Sequence, residues 1–182
     1  RPIYDEFVKR FAMVASKMGM GDLRDPNTVI APIISERQRN RVKDHIANAV
    51  ANGATVVAGG KFEGNRCQAT ILTGVTEEMT VCRTETFGPV TSIYPIDNYE
   101  EGLEKANDTV FGLSSAIFTN DINKAFHFAK NVDAGMCHIN GPTVHDEAHV
   151  PFGGNGESGM GREGTDADIE AMTQLKWVTV QL

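Results

Sequence analysis

Glu85 and Phe87 stand two residues apart in the segment Thr84-Glu85-Thr86-Phe87-Gly88-Pro89-Val90. In extended backbone, residues i and i+2 project to the same side, so a carboxylate and an aromatic ring would share a face. Gly88-Pro89 then fixes the turn into the strand that follows. One acceptor and one ring face are the equipment for holding a planar ring with its attached ribose. A capped start to a strand accounts for the same residues, and spacing alone does not choose between the two.

Other chemical patterns are weaker. Gly154-Asn155-Gly156-Glu157-Ser158-Gly159 satisfies G-x-G-x-x-G, but a dinucleotide loop must follow a strand and open a long helix. Here Pro151-Phe152-Gly153 precedes it and further glycines follow, so a structural, turn-rich loop is expected. His145-Asp146-Glu147-Ala148-His149 resembles a zinc-protease motif, yet its acid lies two residues after the first histidine instead of one. Gly141-Pro142 and Pro151 also disfavour a helix there, and no metal site is expected. Cys67, Cys82 and Cys137 show no partner base. Cys137 falls in an apolar strand, and Cys82 has only the cation of Arg83 beside it to lower its pKa.

The elements that must position these residues follow from periodicity. Phe7, Val8, Phe11, Val14, Ala15 and Met18 have helical spacing over residues 3–18. Ser35 is a candidate N-cap for a second helix through Val42, Ile46 and Val50, which stops at Gly53. Residues 54–58 read as a buried strand. Residues 61–82 are ambiguous, with a strand over 69–75. Strands are expected over 90–96, 113–118, 135–139 and 176–181, and helices over 98–107, 121–131 and 166–172. Asn98 with Glu101 forms a capping-box pattern for the first of these helices, and Asp121 caps the next. Strands alternating with helices predict an α/β fold, a mostly parallel sheet flanked by helices in three layers. No linker or internal repeat marks a second domain.

Composition narrows the function classes. The chain has 182 residues, net charge −7 and 41% hydrophobic residues, ordinary for a globular domain. Arg37, Arg39, Arg41 and Lys43 are interleaved with Glu36 and Asp44, a solvated helix face and not a phosphate-binding patch. Neither nucleic acid nor a membrane is an expected partner. Three scattered cysteines suggest no disulfide framework and fit a reducing cytoplasm. The opening Arg1-Pro2-Ile3-Tyr4 carries no initiator Met, which suggests a piece of a longer chain.

Several motifs in order resemble the aldehyde dehydrogenase superfamily along essentially the whole chain. Ile3-Tyr4-Asp5-Glu6-Phe7-Val8 is similar to the helix just after the family's catalytic loop. Glu85-Thr86-Phe87-Gly88-Pro89-Val90 matches E-x-F-G-P-V. Asn107 to Asp121 contains the family's Phe111-Gly112-Leu113 and Ile117-Phe118-Thr119 pieces. Pro151-Phe152-Gly153-Gly154 with Ser158-Gly159 and Gly161-Arg162-Glu163 resembles P-F-G-G-x-x-x-S-G-x-G-R-E. The wording of residues 140–147 looks most like aromatic aldehyde dehydrogenases acting on salicylaldehyde, vanillin or benzaldehyde.

The resemblance implies NAD or NADP as cofactor, with Glu85 on the nicotinamide ribose, Phe87 near the nicotinamide, and Gln38 and Arg41 contacting the same ribose. Val144 and His145 would line the path of a small-molecule aldehyde. It identifies residues 1–172 as the C-terminal portion of the catalytic domain. Residues 173–182 would be a tail strand joining subunits of a homo-oligomer. The family reaction is thiolate attack on the aldehyde, hydride transfer and hydrolysis of the thioester. The matching nucleophilic cysteine, general base and adenine-binding domain would lie upstream, so no catalytic residue is expected in this chain and the chain alone should be inactive. Two alternatives stay open: a non-catalytic folding or oligomerisation module, and an acylating or semialdehyde-specific branch.

Overall fold

The first helix, α1 (Tyr4–Ala15), forms because its apolar side chains recur every three to four residues. Phe7 and Phe11, one turn apart, stack with ring centroids 5.6 Å apart, and Ala15 is buried. The second helix, α2 (Glu36–Ala51), starts where the Ser35 hydroxyl accepts the Gln38 N–H. It buries Val42, Ile46 and Ala49 along one side. Gly53, at φ +102°, lets the chain turn back out of the helix, the left-handed step that favours glycine.

The computed structural model describes residues 1–164 and 166–182. They form two compact units, Arg1–Asp97 and Asn98–Leu182, where the sequence shows no linker. The division falls in a short connection after a strand and immediately before a capped helix, and so leaves no compositional trace.

In the first unit, strands β1 (Thr55–Ala58), β4 (Thr70–Thr73) and β5 (Val90–Ile93) form one sheet in the order β1-β4-β5. A two-stranded ribbon, β2 (Phe62–Glu63) with β3 (Arg66–Cys67), lies between β1 and β4 in the chain. Side chains alternate across the sheet. Ile71 packs with Ala15 and Ala58 on the α1 side, while Leu72 packs with Ala49, Ala54, Val75 and Met79 on the other. The unit is therefore three-layered, as expected. The sheet is mixed: β4 and β5 are parallel, but β1 and β4 are antiparallel. The β1-to-β4 connection contains only the ribbon, and a parallel return needs a longer crossover. The β4-to-β5 connection has that length and includes the short helix α3 (Thr80–Arg83).

In the second unit, α4 (Tyr99–Asn107) is capped by the Asn98 side chain, which accepts the Glu101 N–H at 2.8 Å. Strands β7 (Ser114–Ile117) and β8 (Met136–Ile139) pair in parallel. The helix α5 (Ile122–Asn131) connects them, and the Asp121 carboxylate accepts the N–H groups of Asn123 and Lys124. The Asn140 side chain extends this ladder: its amide exchanges two hydrogen bonds with the main chain of Thr119, at 2.8 and 3.0 Å. Strands β6 (Phe111–Gly112) and β9 (Asn155–Gly156) form a small antiparallel pair, and α6 (Asp166–Met172) follows.

The strand expected over 176–181 is not formed. Trp177, Val178 and Val180 are exposed, and among the described residues this segment has no neighbouring strand. β-rich composition cannot make a ladder without one. Among the described residues no helix is long and apolar enough to cross a membrane.

Candidate functional site

The loop that carries Glu85 and Phe87 lies against α2. Gln38 donates from its side-chain amide to the carbonyl oxygens of Thr86, at 2.7 Å, and Phe87, at 3.1 Å. Two carbonyl acceptors use both amide hydrogens, which leaves Oε1 as the polar atom Gln38 can offer elsewhere. One helical turn on, Val42 closes on Gly88: a Cβ there would come within 2.6 Å of Val42 Cγ2. Gly88 is thus required by close approach. A further turn on, His45 Nδ1 stands 3.0 Å from the Thr86 hydroxyl.

Phe87 has φ +49°, a left-handed conformation uncommon for a bulky residue. The segment is therefore not extended through position 87, and the alternation that would set Glu85 and Phe87 on one side does not hold. What the loop does instead is present both outward: the Phe87 ring is 72% exposed and Glu85 is exposed. Among the described residues the Glu85 carboxylate makes no hydrogen bond or ion pair, so an acceptor and a ring face are both available. Arg41 is exposed on α2 and its charge acts on the His45 imidazole.

In the second unit a cleft of about 380 Å³ is lined by Met136, Cys137, His138, His145, Val150 and Phe152, among others. β8 supplies the first three. Phe152 is held by a pair of main-chain hydrogen bonds with Glu163, each 2.8 Å. His138 and His145 meet edge to face, with centroids 5.8 Å apart. His138 Nε2 is buried without a hydrogen-bond partner among the described residues. His145 is one of the residues lining this cleft. Val144 does not: it is 92% exposed and absent from the lining, because the next residue in this non-helical stretch turns the other way.

Glu147 lies between His145 and His149, 3.6 and 3.4 Å from their Nε2 atoms, in a segment without helix. Among the described residues no three ligating side chains converge on a metal-sized point. The glycine loop is folded on itself. Its N–H groups at Glu157 and Ser158 bond Val110 and Asn155 carbonyls, and Arg162 donates to Gly154 O, Gly161 O and Asn155 Oδ1. Those donors are committed within the fold. All three cysteines are free thiols. Burial pushes the Cys67 and Cys82 thiols above their ordinary value, which opposes nucleophilic character.

His45, Thr86, His138 and Phe152 are the residues that spacing alone did not single out. Gln38, Val42 and His45 follow the one-face helical rule, and Met136 and His138 the strand rule, but neither rule says which loop meets that face.

The chain is 45% identical over 179 residues to a vanillin dehydrogenase of Pseudomonas sp. (strain HR199 / DSM 7063), a match covering 98% of this chain and 37% of that protein. The crystal structure of a salicylaldehyde dehydrogenase from Pseudomonas putida G7, complexed with salicylaldehyde, superposes with a TM-score of 0.95 at 38% identity. That likeness covers 100% of this chain and 38% of the other. A betaine aldehyde dehydrogenase from Staphylococcus aureus, solved in complex with NAD+, superposes with a TM-score of 0.89 at 31% identity, over 94% of this chain and 36% of that one. The chain spans a little over a third of the length of the curated relatives it matches. The family model described as "Aldehyde dehydrogenase family" matches residues 1–178, and with that match, on an α/β fold bearing these motifs, the chain belongs to the aldehyde dehydrogenase family.

Proposed function

We propose that this chain supplies two parts of an NAD(P)-dependent aldehyde dehydrogenase that oxidises an aromatic aldehyde to a carboxylic acid. The single observation that supports the cofactor part is the loop over 84–89, clamped by Gln38 and presenting an unengaged carboxylate and an exposed ring. Glu85 would hold the ribose hydroxyls, Gln38 would offer its Oε1, Arg41 would add a cation, and Phe87 would pack near the nicotinamide. That cofactor supplies the hydride acceptor when bound. The residues fit it because an acceptor and a ring face are both turned outward.

The aldehyde part is the His138–His145 cleft. Apolar walls from Met136, Val150 and Phe152 suit a planar ring, and the relatives named for vanillin, salicylaldehyde and benzaldehyde favour that substrate class. In this reading the nucleophilic cysteine, through which the thioester forms, lies upstream of Arg1, and the 182-residue chain alone forms no NADH from aldehyde. The decisive assay extends the chain upstream to the full enzyme and compares benzaldehyde with short aliphatic and anionic semialdehydes. A kcat/KM preference of about tenfold or more for the aromatic substrate is expected. A preference for the anionic ones rejects the aromatic assignment.

The exposed tail favours a second role beside this one. Leu175, Trp177, Val178 and Val180 are all more than two-thirds exposed. An apolar, β-rich segment of this kind pairs readily with a neighbouring strand, in this proposal the same segment of a homo-oligomer in a reducing cytoplasm. Removal of residues 173–182 should reduce the mass seen by light scattering to that of the single chain. An unchanged mass on truncation rejects the tail as the oligomerising element.

A further inference from the structure

Gln38, Val42 and His45 lie at i, i+4 and i+7 of α2, one face of the helix. Together they touch three consecutive loop residues: Gln38 bonds the carbonyls of Thr86 and Phe87, Val42 abuts Gly88, and His45 meets the Thr86 hydroxyl. Phe87 sits in sparsely populated backbone space, which persists only where surrounding contacts hold it.

We infer that His45 is a positioning residue for the cofactor loop, holding Thr86 through its hydroxyl so that Phe87 keeps its left-handed turn and its ring faces outward. His45 is 6% exposed and never faces the ligand itself. Its ring bonds Thr86 in either neutral tautomer, as acceptor from the hydroxyl or as donor to it. The Gln38 amide reaches only main-chain carbonyls, which any residue at 86 would provide. The His45 bond is specific to the side chain at 86, and it anchors the residue lying between Glu85 and Phe87. The inference rests on the reading of this loop as the nicotinamide-ribose site.

The test uses the full 182-residue chain and nicotinamide mononucleotide as probe, with H45A, T86V and T86S as variants. T86V removes the hydroxyl at nearly constant volume, and T86S restores it. Wild type and T86S should bind the probe equally, while T86V and H45A should bind it about fivefold more weakly, the effect of one neutral hydrogen bond. In parallel, the Cα and Cβ chemical shifts of Phe87 report its backbone without any ligand. They should leave left-handed values in T86V and H45A and keep them in T86S, a change a merely destabilised fold would not confine to this residue. Equal binding by wild type and T86V, or unchanged Phe87 shifts in T86V, overturns the inference. Absence of saturable binding by wild type rejects the cofactor reading instead, and the Phe87 shifts then decide the positioning role alone. Should H45A fail to fold, T86V against T86S carries the result.

Discussion

A Cβ on Gly135 would fall inside the van der Waals envelope of the Gly153 carbonyl oxygen. Gly135 begins the turn into β8, its N–H bonded to Gly112 O at 2.8 Å, and the glycine loop passes directly over it. The loop that mimics a phosphate-binding pattern is therefore a packing device: its glycines let main chain lie on main chain. It also places Phe152 against the cleft that Met136 lines. Gly135→Ala should destabilise the chain by about 2 kcal/mol or more, as overpacking does, read as a lowered urea midpoint. Gly141→Ala is the control. There a Cβ meets only His138 Cβ at 3.7 Å, and a change within about 0.5 kcal/mol is expected. Equal effects at the two positions would show that the close approach has no energetic consequence.

Much of the fold was legible because its signals are local. Ser35, Asn98 and Asp121 each cap a helix through hydrogen bonds spanning two or three residues, so the residue type near the break carries the information. Strand direction is not local. Nothing in Thr55–Ala58 records that it will run antiparallel to Thr70–Thr73; that follows from the ribbon between them. The site divides in the same way. The motif singles out Glu85 and Phe87, and the family resemblance Gln38, but a shared side in extended backbone fails for the first two because Phe87 is left-handed. The bond between His45 and Thr86 spans 41 positions, and no spacing rule reaches that far. The tail at 176–181 illustrates the converse: its β-rich composition was legible, but a strand exists only with a partner.

The Asp121 cap has a calculable consequence. Its Oδ1 accepts two N–H groups, from Asn123 at 3.0 Å and Lys124 at 3.2 Å, at the start of the helix joining β7 to β8. Asp121→Ala should cost about 1 kcal/mol of stability, and Asp121→Asn much less, since asparagine caps almost as well. Urea denaturation followed by circular dichroism measures both. Equal losses in the two variants would mean that charge, and not the cap geometry, is what Asp121 contributes.

His138 offers a prediction of the opposite sign. Burial of its Nε2 without a partner among the described residues forfeits the bond that atom would make to water. Phenylalanine keeps the ring and the edge-to-face contact with His145 while removing the polar atom. His138→Phe should therefore be neutral or stabilising by about 1 kcal/mol, seen as an equal or higher melting temperature. A marked drop in melting temperature would show that Nε2 is engaged in solution. His145, by contrast, is a half-exposed wall of the cleft, and His145→Ala should leave stability nearly unchanged while opening that wall.

The pH dependence of stability tests the surroundings of His45. Burial first, then the charge of Arg41, pushes its imidazole below the ordinary value of 6.5, with Asp44 acting the other way. The folded chain therefore binds this proton less readily than the unfolded chain. Between the ordinary value and the lowered folded one, the unfolded state holds more protons, and stability rises with pH in that window. The contribution is complete above about 6.5 and is lost as pH falls below it, because the unfolded chain is then protonated while the folded imidazole is not. Urea midpoints taken from about pH 8 down to about pH 5 should fall across that window for the wild type. His45→Gln has no titrating group at this position and should show a shallower decline over the same interval. The remaining histidines and the carboxylates are identical in the two proteins, so their contributions cancel in the difference. Parallel curves would mean that His45 is as easily protonated in the folded chain as in the unfolded one, and that neither its burial nor the charge of Arg41 disfavours the imidazolium.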